Sequence, residues 1–128
     1  ITPIVIVDFH AEATAEKICF ARFCAENGVS AFFGTHTHVQ TSDEQIFEGM
    51  AYITDAGFCG AYDSVIGMEY GTSLNRFTTC IPERYDVADG DKVQLNAVEV
   101  EITPSTGCAV AIKRIFCCID KSKKEKEQ

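Results

Sequence analysis

The chain has three histidines, and each of them follows an apolar run of residues. His10 comes directly after residues 3–9, whereas His36 and His38 follow residues 29–33. Ligand-binding residues in α/β sheets gather at the carboxyl ends of strands. If the two runs are parallel neighbouring strands, the imidazoles therefore emerge at one edge. Because residues i and i+2 of an extended segment project to the same side, His36 and His38 would face one pocket.

Three imidazoles at one edge of a sheet predict a metal site. Neutral imidazole is a ligand for zinc, iron and related ions, and carboxylates orient such ligands through the second ring nitrogen. Asp8, Glu12 and Asp55 are the candidates for that role. The alternative is three unrelated surface histidines, but all three histidines of the chain stand at strand ends. A shared metal site is therefore favoured.

Rival chemistries have less support in the sequence. No serine lies in a Gly-x-Ser-x-Gly nucleophile elbow, and no cysteine has an evident activating neighbour. The glycines in the middle of the chain do not match a phosphate-binding loop; they are Gly57, Gly60, Gly67 and Gly71. Metal-assisted hydrolysis is the interpretation that remains.

The elements that must position the histidines form a strand–helix–strand unit. Residues 3–9 predict a strand buried on both faces, residues 14–27 a helix that ends before Gly28, and residues 29–33 a second buried strand. Such a unit favours an α/β fold. The residues that follow helical spacing, which are apolar except for Arg22, are Ala15, Ile18, Cys19, Arg22 and Phe23.

The remainder of the chain predicts further strands and one more helix. Residues 40–49 are polar and predict a loop, residues 50–54 a strand and residues 72–80 a short helix. Residues 93–102 and 108–119 predict a hairpin, because residues 104–107 supply the turn chemistry.

Composition limits the class of protein. The 128 residues are 46% hydrophobic and carry a net charge of −8, which predicts one folded domain and argues against a nucleic-acid polymer as partner. We expect this domain over residues 1–119 and a charged, disordered tail over residues 120–128.

No membrane-length apolar run and no signal segment are evident, so a cytoplasmic location is expected. The seven cysteines form no CxxC pair and predict reduced core thiols, with a structural zinc site the less favoured alternative.

The residues around the histidines resemble a known family. The segment GTHTHVQT, residues 34–41, resembles a signature of the calcineurin-like metallophosphoesterases, and of the bacterial YmdB-like phosphodiesterases in particular. The segments DFHAEAT (8–14), AYITDAG (51–57), YDSVIGM (62–68) and QLNAV (94–98) follow in the family's order. The resemblance covers roughly residues 3 to 116.

The resemblance implies an α/β/β/α sandwich with a two-metal centre of iron, manganese or similar ions; zinc and magnesium also fit. It implies a metal-dependent phosphodiesterase that hydrolyses 2′,3′- or 3′,5′-cyclic nucleotides. By this resemblance, His10, His36 and His38 are metal ligands. From their positions alone we expect Asp8 and Glu12 to orient these ligands, and Thr35 and Thr37 to support the loop. The metal ions would clamp the phosphoryl group and generate the attacking hydroxide.

Several segments of the family pattern are absent from this sequence. The family's first strand with its metal-binding Asp, a bridging Glu, Asn ligands and the general-acid His have no counterpart here. We therefore expect the chain to be the C-terminal half of a metallophosphoesterase domain, with the N-terminal half as its partner, and to be inactive alone. A homo-oligomer is compatible with this reading. The alternatives are a non-catalytic metal-binding or interaction module, or an inactive truncated fragment.

Overall fold

Residues 2–122, which the computed structural model describes, form two compact units. The first unit comprises residues 2–57 and 96–115, and the second comprises residues 58–95 and 116–122. No helix in residues 2–122 is long and apolar enough to cross a membrane. Of the tail predicted from residue 120, residues 123–128 lie outside the described part of the chain, and Asp120 is the last residue of a strand.

The first unit contains a four-stranded sheet and one helix. In chain order its elements are β1 (Ile6–His10), α1 (Thr14–Glu26), β2 (Ala31–Thr35), β3 (Gln45–Phe47) and β4 (Met50–Ile53). The strand order is β1-β2-β4-β3, where β1 and β4 both lie parallel to β2, and β3 lies antiparallel to β4. The predicted strand–helix–strand unit is therefore confirmed.

The second sheet is antiparallel where β5 meets β6 and has the order β5-β6-β7. Its elements, with the second helix, are β5 (Gly60–Ala61), α2 (Tyr70–Thr79), β6 (Lys92–Ile102) and β7 (Ala109–Asp120). The long strands β6 and β7 belong in part to each unit. Gly107 and Thr106 donate backbone hydrogen bonds to the carbonyl of Thr103 between these strands, and the predicted hairpin is confirmed.

Within the first unit the layers are helix, sheet and sheet. The buried face of α1 packs on one side of the parallel strands, and the cluster comprises Ala21, Cys24, Ala25, Phe32, Met50 and Tyr52. On the other side, small residues of β2 and β4 meet β6 and β7 in a cluster of Ala31, Ala51, Ala109, Val100, Ile102 and Ile112. This arrangement confirms the α/β class and corresponds to part of an α/β/β/α sandwich.

The buried stripe of α1 is not the one that the sequence favoured. The buried residues are Lys17, Ala21, Cys24 and Ala25, whereas Phe23 of the expected stripe is 58% exposed. Both stripes have helical spacing and both are largely apolar, so periodicity could not choose between them. The small residues Ala21 and Ala25 face the sheet, where they leave room for the aromatic rings of β2 and β4.

Strand β1 is an edge strand, and the expectation that it is buried on both faces was wrong. Ile6 is 58% exposed, and exposure alternates along the strand: Ile6, Asp8 and His10 are exposed, whereas Val7 and Phe9 on the opposite face are half-buried. One face of β1 is thus left open within residues 2–122, and no other strand there pairs with its outer edge. Strand β2 begins at Ala31 rather than at Val29. The amide of Val29 still donates to the carbonyl of Cys24, so this residue completes the end of α1.

Two further expectations need correction. Residues 40–49 are not wholly loop, since they include β3, which a three-residue length and a single partner strand make hard to recognise. All seven cysteines are free thiols, as expected, but only Cys24 is buried and the other six are exposed. Apolar neighbours in sequence do not by themselves bury a thiol: the adjacent Cys117 and Cys118 project to opposite faces of β7, and both are exposed.

Candidate metal centre

The first two strands end side by side. Their parallel register pairs His10, the last residue of β1, with Thr35, the last residue of β2. Asp8 is paired with Phe33 two residues earlier, so Asp8 and His10 lie on the same face of β1. His36 follows Thr35 directly. The sheet edge therefore places two of the predicted ligands next to each other, as the strand-end rule anticipated.

The imidazoles of His10 and His36 are in contact. Nε2 of His10 lies 3.0 Å from Nδ1 of His36. The ring centroids are 4.7 Å apart, and the ring planes are nearly perpendicular at 88°. Both side chains are exposed at this edge, so the nitrogen pair can be reached from solvent.

Outer partners determine which nitrogens of this pair carry protons. The hydroxyl of Thr35 donates to Oδ1 of Asp8 at 2.8 Å. Its oxygen can therefore only accept from Nδ1 of His10, which lies 3.3 Å away. On the other ring, Nε2 of His36 lies 3.0 Å from Oε2 of Glu12, and a carboxylate accepts. Both outer nitrogens are therefore donors, and in the neutral rings the two facing nitrogens carry lone pairs.

The histidine loop, residues 36–38, is not extended. His36 has φ of 105° and His38 has φ of 64°, values that few L residues adopt. The expectation of an extended segment at His36 and His38 was therefore wrong, whereas a shared pocket for the two side chains stays a prediction. No group of three His, Cys, Asp or Glu side chains within residues 2–122 could hold a metal ion by itself.

A buried ion pair lies beneath the histidine loop. Nζ of Lys17 is 2.9 Å from Oδ2 of Asp55, and both side chains are fully buried. The same Oδ2 accepts from the amide of Thr37 at 3.0 Å and from its hydroxyl at 2.7 Å, while Oδ1 accepts from the amide of Gly57. Burial is the largest single influence and raises the pKa of Asp55, but together these hydrogen bonds hold it below its ordinary value.

Gly34 makes room for this ion pair. A Cβ built on Gly34 would lie 1.9 Å from the carbonyl oxygen of Thr54 and 2.8 Å from Cδ of Lys17. Only glycine leaves space there for the lysine stem. Sequence reasoning missed Lys17, although one signal was available: it stands at i, i+4 and i+7 spacing with Ala21 and Cys24 on a potential inner face.

A second carboxylate anchors the chain that follows the histidine loop. Asp43 accepts from the amide of Thr54 at 3.2 Å and also from the hydroxyl of Thr54. The hydroxyl of Tyr52 lies 2.8 Å from the same threonine oxygen. Burial works to raise the pKa of Asp43, yet the hydrogen bonds from Thr41 and Thr54 bring it below its ordinary value. Asp43 thus stabilises the end of β4 through Thr54, and these contacts indicate a structural role rather than metal ligation.

Comparison with known proteins identifies the class. Residues 1–115 match the model of the YmdB-like proteins. The chain is 47% identical over 116 residues to the 2′,3′-cyclic-nucleotide 2′-phosphodiesterase of Bacillus subtilis (strain 168), an alignment that covers 90% of this chain and 43% of that protein. The chain therefore belongs to the YmdB-like family.

Two solved structures share the fold. A phosphatase from Mycoplasma pneumoniae matches with a TM-score of 0.85 and 37% identity over 98% of this chain and 45% of that one. A protein from Thermus thermophilus, described as hypothetical, matches with a TM-score of 0.84 and 39% identity over 91% and 45% of the respective chains. The chain thus spans less than half the length of these relatives.

Proposed function

We propose that this chain supplies His10, His36 and His38 to the dinuclear metal centre of a phosphodiesterase that hydrolyses 2′,3′- or 3′,5′-cyclic nucleotides. The observation that carries this proposal is the contact between His10 and His36 at the sheet edge. The family membership and the names of the phosphodiesterase and phosphatase relatives support the reaction class.

The donor set fits a metal ion. Two lone-pair nitrogens that face each other at 3.0 Å repel unless a cation lies close to both. Neutral imidazole nitrogens are common metal ligands, so His10 and His36 would hold an ion between them, and His38, two residues further along the loop, would be the third histidine ligand of the centre.

The chain's own residues prepare this pair. Asp8 acts on His10 through the Thr35 hydroxyl, and Glu12 acts on His36 directly. Each partner fixes one tautomer and one ring orientation, so that the lone pair of the inner nitrogen is available to a metal ion. Metal ions bound there supply Lewis acidity toward phosphoryl oxygens.

The remaining ligands have to come from elsewhere, because a structural or catalytic metal ion takes about four ligands or more and the pair provides two. We propose the N-terminal half of the same domain as their source. Its docking surface would be the outer edge of β1, where Ile6 is exposed. An apolar groove of about 430 Å³ adjoins this edge; Ile6, Ala31, Phe33, Ala56, Val98 and Val100 are among its lining residues.

An activity assay tests the proposal. The 128-residue chain alone and the chain joined to its N-terminal half would be assayed with Mn²⁺ against 2′,3′-cyclic AMP and 3′,5′-cyclic AMP. We expect turnover only in the joined protein, and its loss together with bound metal in His36→Gly. Glycine is the substitution of choice, because it adopts φ of 105° without strain. Lys113→Ala, at an exposed position of β7, is the control.

Two outcomes would contradict the proposal. Full turnover of the joined His36→Gly protein would exclude His36 as a ligand. Metal binding by the joined wild-type protein without hydrolysis of either nucleotide would favour the alternative, a non-catalytic metal-binding module.

A further inference from the structure

The Lys17–Asp55 ion pair lies outside the set of candidate ligands, yet it contacts the loop that carries two of them. Both side chains are fully buried at a separation of 2.9 Å. Burying two charges is costly, and a packed apolar pair of similar volume is often as stable or more stable. A buried pair at this place therefore suggests a task beyond the stability of the fold.

The hydrogen-bond partners of Asp55 indicate what this role is. One carboxylate oxygen accepts both the amide and the hydroxyl of Thr37, the residue between His36 and His38. Both histidines have positive φ angles, which cost free energy in L residues and persist only where surrounding contacts impose them. The two hydrogen bonds to Asp55 are the contacts at the centre of this strained loop.

Lys17 is the ionic partner of Asp55 in this arrangement. Buried charges are stabilised by an opposite charge as well as by hydrogen bonds, and the ammonium group of Lys17 provides that counter-charge for Asp55. The lysine reaches Asp55 from α1 over Gly34, where a Cβ would lie 2.8 Å from its Cδ. The helix, the end of β4 and the histidine loop are thereby joined at a single oxygen atom.

We propose that Lys17 and Asp55 are positioning residues: through Thr37 they hold the histidine loop in the strained conformation that presents His36 and His38 for metal ligation. This inference rests on the proposed function, since it assumes that the histidines bind metal. It makes neither Lys17 nor Asp55 a ligand.

Threonine variants separate positioning from stability. Thr37→Val removes the hydroxyl and keeps the shape of the side chain, whereas Thr37→Ser retains the hydroxyl. Thr78→Val is the matched control, because the Thr78 hydroxyl bonds only to carbonyls of its own helix α2. Each variant, joined to its N-terminal half so that the remaining ligands are present, would be titrated with Mn²⁺ by calorimetry, and urea unfolding would show how much of each sample is folded.

For the folded protein, we expect Thr37→Val and Asp55→Asn to weaken Mn²⁺ binding about 10- to 100-fold, the usual effect of removing a residue that orients ligands. Thr37→Ser and Thr78→Val should bind like the wild type. Folded Thr37→Val and Asp55→Asn proteins that bind Mn²⁺ with wild-type affinity would overturn the inference. If Asp55→Asn does not fold, Thr37→Val decides alone.

Amide exchange distinguishes failure of this inference from failure of the proposed function. If the wild-type chain binds no Mn²⁺ even when joined to its N-terminal half, the metal premise of the proposed function fails. Positioning is still measured, because the Thr37 amide should be protected from hydrogen exchange in the wild type and lose that protection in Asp55→Asn. An unprotected Thr37 amide in the wild type would overturn the positioning role whatever the metal result.

Discussion

Replacing Lys17 with methionine is expected to destabilise the fold strongly at neutral pH. Methionine matches the length of the lysine stem but has no charge, so the Asp55 carboxylate stays buried without its counter-ion. Breaking a buried pair by removing one partner typically costs about 3–5 kcal/mol. The hydrogen bonds that Asp55 keeps from Thr37 and Gly57 offset part of that cost, so we expect about 3 kcal/mol.

The pH dependence of this loss has a definite sign. In the wild type the folded-state pKa of Asp55 is lowered, so its stabilisation is present above the unfolded value of about 3.9 and is lost as the pH falls through the folded pKa. Lys17→Met removes one cause of the lowering, so the folded-state pKa rises. The difference in stability between variant and wild type should therefore be largest near pH 7 and shrink in the acid range, where Asp55 is protonated in both.

Urea unfolding followed by circular dichroism, at a series of pH values, measures this difference. Lys113→Met at an exposed position of β7 is the matched control and should stay within about 0.5 kcal/mol of the wild type. The double variant Lys17→Met/Asp55→Asn should recover part of the loss, because it leaves no unpaired charge. A loss below about 1 kcal/mol at pH 7, or one of equal size at every pH, would refute the reasoning.

Three further results are expected. Gly34→Ala should destabilise the fold by about 1–3 kcal/mol in urea unfolding, because the new Cβ would collide with the carbonyl oxygen of Thr54; an unchanged midpoint would contradict this. Thr35→Val, which cuts the link that orients His10, should weaken Mn²⁺ binding about 10-fold in calorimetry, and wild-type affinity would exclude the link. Cys24 should react with iodoacetamide more slowly than the exposed thiols, since burial raises its pKa, and mass spectrometry would reveal equal rates if this is wrong.

Much of the fold can be predicted from short-range patterns in the sequence. The apolar runs at residues 3–9 and 29–33, the helical segment between them and the turn residues 104–107 predict elements that the structure contains. The family motif at residues 34–41 and its neighbours predict the YmdB-like family, which the comparison confirms. These features are local because hydrophobic periodicity and turn chemistry act over a few residues.

Tertiary contacts decided the rest of the fold. Helix α1 carries apolar residues on two stripes, and only the packing of small residues such as Ala21 against the sheet determines which stripe is buried. Strand β3 is three residues long and exists because β4 pairs with it. The exposure of Ile6 on β1 depends on whether another part of the protein covers that face of the strand, and no pattern within the strand itself contains that information.

The candidate metal centre was likewise predicted in part from the sequence, and the rest depends on tertiary contacts. The types of His10 and His36 and their places after two apolar runs predict that they meet, and they do. Their outer partners were candidates by position alone; the structure gives Thr35, Asp8 and Glu12 their contacts. The conformation of the histidine loop was not predictable, because Asp55, 18 residues from Thr37 and 38 from Lys17, imposes it. Sequence determines which groups are present, whereas a buried charge acts through space, where only the folded chain brings its partners together.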